Sequence, residues 1–452
     1  MNRLRSYALL FVFLTFVYHS NLRPIAAGDS IGASLIPFSV VLDHSITLDR
    51  FGPRLQDHRK YPWLTRSHGH FYSGYPIAGA VFVSPLYLPA ALIPAVRRMP
   101  PDSLMMLARI VEKFTAVALT AAAVIWMLVL LLRLVPAGWA WVLTLVFALC
   151  TSMWATSSQA LWQHTFGVVA IVGFLDFLAR WEEHRAPRWA WCCGAAVGAA
   201  AMIRPSNAFL LIALAAALWL SRGRGADLVR FFVPALAGVL AVVSYNVWIF
   251  GTVRGGYPVS VLSGGGRSWG WAGVLISPGR GLLVFTPIVI FALGAFLPRA
   301  RENRKRHMAV VTACACFVVC QIALIGKSSS WAGGTCWGPR LLTETVPALM
   351  VLVAVGTPAI RGAGRYAFAA LALYCLFIQA LGVYYFPKGY WDSMPLREAR
   401  HSDRMWDWSD NPIRRTLNAG PAWEPYVIVE TAWEKGLPAA SQRLRAYGIS
   451  AY

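Results

Sequence analysis

Apolar residues run through this chain in long blocks separated by short polar or basic stretches. Windows 115–132, 231–250 and 308–325 approach or reach the roughly 20 apolar residues that a helix needs to cross the hydrocarbon core of a bilayer. The blocks predict eleven membrane-spanning helices, at 6–20, 104–132, 137–154, 166–181, 189–203, 207–221, 231–250, 281–298, 308–326, 341–360 and 366–386. One further block, 76–96, is apolar enough to span but carries Pro76, Pro85, Pro89 and Pro94. Each interior proline removes a backbone hydrogen bond and bends the helix. That block is therefore expected to dip into the outer leaflet and return.

Charge decides the orientation. If 76–96 spanned, with the N-terminus inside, the basic loops at 182–188, 222–230 and 299–306 would all face outward. With 76–96 as a dip, those loops and 361–365 all face inward, as the positive-inside rule requires. The expected fold class is an all-α polytopic membrane protein with about eleven spans and a long first extracytoplasmic loop, 21–103. Residues 1–386 form the transmembrane domain. Residues 387–452, polar and rich in Trp and Asp, form a small extracytoplasmic tail. A cleaved signal peptide is the alternative for the N-terminus, since Arg3 and Arg5 precede a short apolar run and Pro-Ile-Ala-Ala-Gly. Arg23 and Pro24 fit a cleavage region poorly, which favours a first span.

Composition agrees. Of 452 residues, 57% are hydrophobic and 13% charged, against about 25% charged in a soluble domain. The net charge of +21 invites a nucleic-acid reading, but the cations are strung through the loops between apolar blocks and are not gathered on one soluble face. The eight cysteines lie mostly inside apolar segments, without zinc-ligand spacing or a disulfide framework. No internal repeat is visible, which disfavours transporter folds built from repeated halves.

The unusual polar and aromatic residues collect on the expected outer face. The first loop reads Gly28-Asp29-Ser30, Leu35-Ile36-Pro37-Phe38-Ser39 and Leu48-Asp49-Arg50-Phe51, then Tyr72-Ser73-Gly74-Tyr75-Pro76. Later come Trp162-Gln163-His164, Arg204-Pro205-Ser206-Asn207, Trp331-Ala332-Gly333-Gly334 with Gly338-Pro339-Arg340, and Trp406-Asp407-Trp408-Ser409-Asp410. Acids, amides and aromatic platforms at a membrane surface suit sugar binding, although aromatic belts occur in most membrane proteins.

In type and order these elements resemble the C-type glycosyltransferase superfamily, the GT-C fold. Within it they are similar to bacterial relatives of protein O-mannosyltransferases and of the lipid A aminoarabinose transferase. The resemblance runs from about Gly28 to Asp410. It implies a multispan enzyme that takes a monosaccharide from a polyprenyl-phosphate carrier, with an early acidic residue of the first outer loop as base. The acceptor would be a glycan, a lipid or a protein. Such an inverting hexosyl or pentosyl transferase would sit in the cytoplasmic membrane, its site facing the periplasm or exterior. One position departs from the pattern: relatives often carry a phosphate-contacting Lys just before the Tyr-Pro of the dipping segment, where this chain has Gly74.

Transfer from a lipid phosphate needs a base for the acceptor hydroxyl and cations for the departing phosphate. The leaving group is already an anion, so a second carboxyl acting as acid is not required, unlike glycoside hydrolysis. Asp29 is the expected base, against the alternative that it caps a short helix. Asp49 is the second-choice acid, against pairing with Arg50 or Arg54. Arg204 and Arg340, each beside a proline at the outer end of a span, are the expected phosphate ligands. Glu344, one turn after Arg340, is placed to pair with it. Glu112 and Lys113 are expected to form a buried pair. Tyr75, Gln159, His164, Trp331 and Trp337 are candidates to line the sugar or acceptor pocket. No cofactor is required; a divalent metal held by His68, His70 and Asp29 is the alternative. The rival functions are a transporter or flippase of lipid-linked sugars and a non-catalytic subunit of a glycan-assembly complex.

Overall fold

The computed structural model describes residues 3–52, 55, 61, 63–221, 225–256, 270–386, 391, 402–428, 430–431, 433–435 and 442. Every one of the eleven expected spans coincides with a helical segment: Arg3–His19, Pro101–Leu134, Ala137–Leu149, Gln163–His184, Pro187–Ile203, Leu210–Leu220, Gly225–Phe250, Pro287–Phe296, Met308–Lys327, Val346–Gly356 and Ala363–Tyr384. Among the described residues, six helical stretches are long and apolar enough to cross a membrane: Pro101–Leu134, Gln163–His184, Gly225–Phe250, Met308–Lys327, Arg340–Ala359 and Ala363–Tyr384. The others are shorter. Large apolar side chains such as Phe16, Leu240, Trp248, Leu293, Val319 and Leu373 point outward, as lipid-facing surface must. The chain is a multi-pass membrane protein.

Small residues let the helices approach. A Cβ on Gly238 would lie 2.5 Å from Gly198 Cα, and one on Gly194 would lie 2.1 Å from the Phe231 carbonyl oxygen. Helices Pro187–Ile203 and Gly225–Phe250 therefore meet backbone to backbone, the packing that membrane helices favour where water supplies no driving force.

The stretch expected as a long outer loop is a folded cap. It opens with helix Gly28–Asp43, which ends where His44 turns into the left-handed region at φ 51°. A two-stranded antiparallel hairpin follows, Leu64–Ser67 against His70–Ser73, so the chain is not purely α-helical. The proline-rich segment is broken into Ala78–Val83, Ser84–Tyr87, Leu88–Ala91 and Pro94–Arg97, none long enough to span. Ile31, Leu35, Phe38, Phe51, Trp63 and Tyr87 form a core of their own. It continues into the helices through Ala116, Leu161, Phe166 and Ile203. That continuity holds the start of helix Gly28–Asp43 against the bundle. The tail also packs back: the Ala422 N–H donates to the Tyr384 carbonyl (2.9 Å), and the Tyr426 hydroxyl to the Ser20 carbonyl (2.7 Å).

Candidate functional site

Asp29 stands in the first turn of helix Gly28–Asp43. The N-cap position is Ala27, with no side-chain cap, so Asp29 does not serve as one. Its carboxylate accepts from Arg340, whose Nη1 donates to Oδ2 at 2.7 Å across 311 positions of sequence. Arg340 is 8% exposed. Its Nη2 donates to the Gly333 carbonyl (2.7 Å), and its guanidinium lies 4.5 Å from the centre of the Trp162 ring. The pair expected between Arg340 and Glu344 does not form, because Arg340 turns outward to the cap.

Glu344 turns inward. It accepts from Arg204 Nη1 and from Asn207 Nδ2 (3.1 Å), and lies 2.8 Å from His164 Nδ1. Gly167 makes room, since a Cβ there would come within 2.5 Å of Glu344 Oε1. Arg204 Nη1 also donates to the Leu341 carbonyl (3.3 Å). Both Arg204 and His164 are thus committed to a buried cluster under the turn that carries Arg340. Through Nη1, Arg204 holds that turn.

A third charged group flanks Asp29. Arg109 pairs with Glu112 (2.6 Å) one turn along helix Pro101–Leu134 and reaches the Ser30 hydroxyl at 3.4 Å. Glu112 also accepts from the Leu161 N–H (2.9 Å). Lys113 points another way, to Gln159 Oε1 (2.7 Å) and the Ser158 carbonyl (3.2 Å). The expected Glu112–Lys113 pair is therefore wrong in its partners: adjacent helical residues diverge, whereas i and i+3 meet. Arg109 and Trp162 were missed by sequence reasoning. The spacing to Glu112 was the available signal for the first, and the Trp-Gln-His stretch for the second.

Several expected pocket residues are structural. Gln159 is fully buried. Its Oε1 accepts from Lys113 and Asn21, and its Nε2 donates to the Trp154 carbonyl and the Ser158 hydroxyl. Its hydrogen-bonding capacity is used inside the bundle. Trp337 is 3% exposed, donates Nε1 to the Ile378 carbonyl (3.1 Å), and packs on Phe285 and Phe386. It cannot offer a face to a sugar. Trp331 covers Gly273, where a Cβ would meet its ring at 2.5 Å. Tyr75 stays close enough to Arg340 to interact with it electrostatically.

Asp49 has a different post. It accepts from the Phe71 N–H (2.8 Å) and lies 2.6 Å from His70 Nδ1, so it fastens the hairpin. Burial raises its pKa, but the hydrogen bonds from Phe71, His70 and Thr47 outweigh that and hold the carboxyl below its ordinary value. Arg50 pairs with Asp43; Arg54 lies outside the described residues. Asp43, Ser45, Thr47, Asp49, Arg50, His70 and Tyr72 line an open polar cleft of about 550 Å³. His68 bonds the Trp248 carbonyl (2.9 Å). The alternative ligand trio of His68, His70 and Asp29 is thus divided among other partners, and among the described residues no three His, Cys, Asp or Glu side chains could hold a metal ion.

At Gly74, a Cβ would stand 3.0 Å from both the Trp63 and the Gly256 carbonyl oxygens. A lysine has no room there without moving backbone. Burial leaves other donors without acceptors: Arg340 Nε, Trp162 Nε1 and Trp63 Nε1 have no hydrogen-bond partner. The Trp63 indole nitrogen is 3.8 Å from where a Cβ on Gly28 would sit, next to Asp29. Buried N–H groups are rarely left unpaired, so this set is suited to an oxygen-rich ligand. A separate apolar groove of about 480 Å³ runs along the bundle. Its lining extends from Trp126, Phe177 and Cys192 to Gly79, Phe166 and Ile203, and Ile203 precedes Arg204.

No family model matches the chain, and no curated protein matches it. Among solved structures, it is similar to the oligosaccharyltransferase of Archaeoglobus fulgidus in the apo form, with a TM-score of 0.50 and 12% identity. That match covers 93% of this chain and 63% of the other. The oligosaccharyltransferase AglB of Archaeoglobus fulgidus, in complex with an inhibitory peptide and a dolichol-phosphate, matches with a TM-score of 0.50, 11% identity and coverage of 93% and 62%. This chain spans less than two thirds of the length of either. At these identities the likeness establishes the fold, which is GT-C-like.

Proposed function

We propose that this protein is an inverting glycosyltransferase that moves a monosaccharide from a polyprenyl-phosphate carrier to an acceptor hydroxyl on the outer side of the cytoplasmic membrane. The observation that carries the reading is the contact between Asp29 and Arg340, beside buried N–H donors without acceptors. The solved complex of the structurally similar AglB with a dolichol-phosphate supports a lipid phosphate as the group such a fold receives.

In the reaction the acceptor oxygen attacks the anomeric carbon as the bond to the phosphate oxygen breaks. The bond's electrons leave with the lipid phosphate, and the acceptor proton passes to Asp29. Arg340 holds the departing phosphate with its unused Nε–H, and Trp162 supports the guanidinium from below. Arg109 supplies the second cation beside Asp29. Arg204, Glu344 and His164 keep the Arg340 turn in place. The apolar groove, which begins one residue from Arg204, suits the isoprenoid chain.

The test compares purified full-length protein with Asp29→Asn in nanodiscs, supplied with a set of polyprenyl-phosphate monosaccharides and extracted envelope glycans. Consumption of donor by the wild type, reduced by about 10²-fold or more in the variant as loss of a general base requires, supports the reading. Equal turnover by both proteins removes Asp29 as the base. Carrier binding without turnover by either favours the non-catalytic subunit.

A further inference from the structure

Arg280 is the charged residue among the largest fully buried side chains described, and the reaction leaves it unused. It is 1% exposed and grips the loop that leads to Arg340. Its Nε donates to the Ala332 carbonyl (3.0 Å), its Nη2 to the Gly334 carbonyl (3.0 Å) and its Nη1 to the Gly279 carbonyl (2.9 Å). The carbonyl in between, Gly333, accepts from Arg340. Two arginines thus hold three successive carbonyls. Consecutive carbonyls can turn to different partners here because Gly333 and Gly334 sit at φ +76° and +69°, a region that glycine enters at little cost.

The other side of Arg280 meets the tail. Its guanidinium lies 5.2 Å from the centre of the Trp391 ring, and that of Arg404 lies 4.6 Å from the same ring. Trp391 donates Nε1 to the Asp410 carbonyl (2.9 Å), and Arg404 pairs with Asp410 (3.5 Å). The Gly279 N–H donates to the Met405 carbonyl (3.3 Å). Cation–π contacts strengthen when the partners are desolvated, and Trp391 is buried.

We infer that Trp391, with residues 404–410, is a latch on the candidate site: Trp391, gripped by Arg280 and Arg404, fixes the 332–340 loop and so sets the position of Arg340. Arg280 and Trp391 are positioning residues. Their link to transfer rests on the reading of Asp29 and Arg340 given above; the latch itself does not.

Cys336 is a reporter already in place. It is buried in that loop, its Sγ directed at the Ala332 and Gly338 carbonyls. The full-length protein in nanodiscs is treated with N-ethylmaleimide, and each cysteine's rate of modification is followed by peptide mass spectrometry. Trp391→Ala and Arg280→Gln should each speed modification of Cys336 about tenfold or more, equivalent to ~1.4 kcal/mol of loop opening. Cys193 and Cys375, buried within the bundle, should stay at the wild-type rate, which separates loop release from general loosening. Trp391→Phe keeps a ring face for both guanidinium groups and should restore protection. Trp408→Ala, an exposed tail position, should change nothing. A wild-type rate at Cys336 in Trp391→Ala, or an equal rise in Trp408→Ala, overturns the latch. Loop release in Trp391→Ala, with no transfer by the wild type, leaves the latch standing and removes only the transferase reading.

Discussion

Glu344 shows how much of this site is held by charges that touch no substrate. It is 1% exposed and receives Arg204, Asn207 and His164. Removing one member of a buried ion pair leaves the other uncompensated, at a cost of about 3–5 kcal/mol, whereas replacing both with apolar groups of similar volume is often neutral. Glu344→Gln should therefore lower the melting temperature of the purified protein sharply. The double change Arg204→Met with Glu344→Leu should recover most of that loss. A double variant as unstable as the single one would mean that the cluster is more than an ion pair. Sequence reasoning singled out Asp29, Arg204 and Arg340, because a charge at the end of an apolar block is visible in one dimension. It paired Arg340 with Glu344 because that is the local option. The actual exchange, Arg340 to Asp29 and Arg204 to Glu344, joins residues 311 and 140 positions apart, and no periodicity reports it. Gln159 and Trp337 pose a related ambiguity. Amides and indoles serve equally well at a sugar site and inside a helical bundle, and only their partners tell the two apart.

At the scale of elements, the first outer segment is where the sequence was least informative. Four prolines foretold the broken stretch at 78–97, since their effect is local. Helix Gly28–Asp43 and the hairpin were not foreseen, although the hairpin has a local cause. His68 and Gly69, at φ 49° and 84°, form the two-residue connection whose twist matches paired strands. Asp49 secures it from outside through Phe71 and His70. Because its folded-state pKa is depressed, that fastening is fully present above the unfolded value of about 3.9. It is lost as pH falls through the lower folded value. Amide exchange at Phe71, corrected for intrinsic rate, should thus accelerate as the pH is taken below about 4. Asp49→Ala, which removes the acceptor, should exchange fast at either pH. Acceleration of equal size in both proteins would assign the acid effect elsewhere, for instance to the neighbouring Asp43–Arg50 pair.

For the whole molecule, the structure supplies what charge counting could only assume, namely which loops share an end. Glu182 accepts from the backbone N–H groups of Ala309 and Val310, and Arg133 pairs with Glu183. The loops after Leu134, His184 and Arg306 therefore meet at one end. Helix Arg3–His19 runs toward the other end, since the Tyr18 hydroxyl donates to the Ala148 carbonyl (3.1 Å) at the far end of helix Ala137–Leu149 and Asn21 Nδ2 donates to Gln159 Oε1 (2.9 Å), so Arg3 and Arg5 belong to that same end. The opposite end carries Asp29, Arg340, Trp162 and the tail contacts of Arg280. Those loops and the candidate site thus lie at opposite ends, and under the positive-inside rule the proposed orientation puts the site outside. A lipid-linked sugar would have to reach that outer face before transfer. Fusion of a reporter active only outside the cytoplasm should give signal after Gly420 and none after Arg306, while a cytoplasm-only reporter should give the reverse. If both positions report the same side, one helix between them fails to cross. The short segment Pro287–Phe296 is not that helix, because it precedes both points; the crossings at stake are Met308–Lys327, Arg340–Ala359 and Ala363–Tyr384. Three crossings put the two positions on opposite faces; were Met308–Lys327 the one that failed, Arg340 and Asp29 would fall on opposite faces, which their 2.7 Å contact forbids.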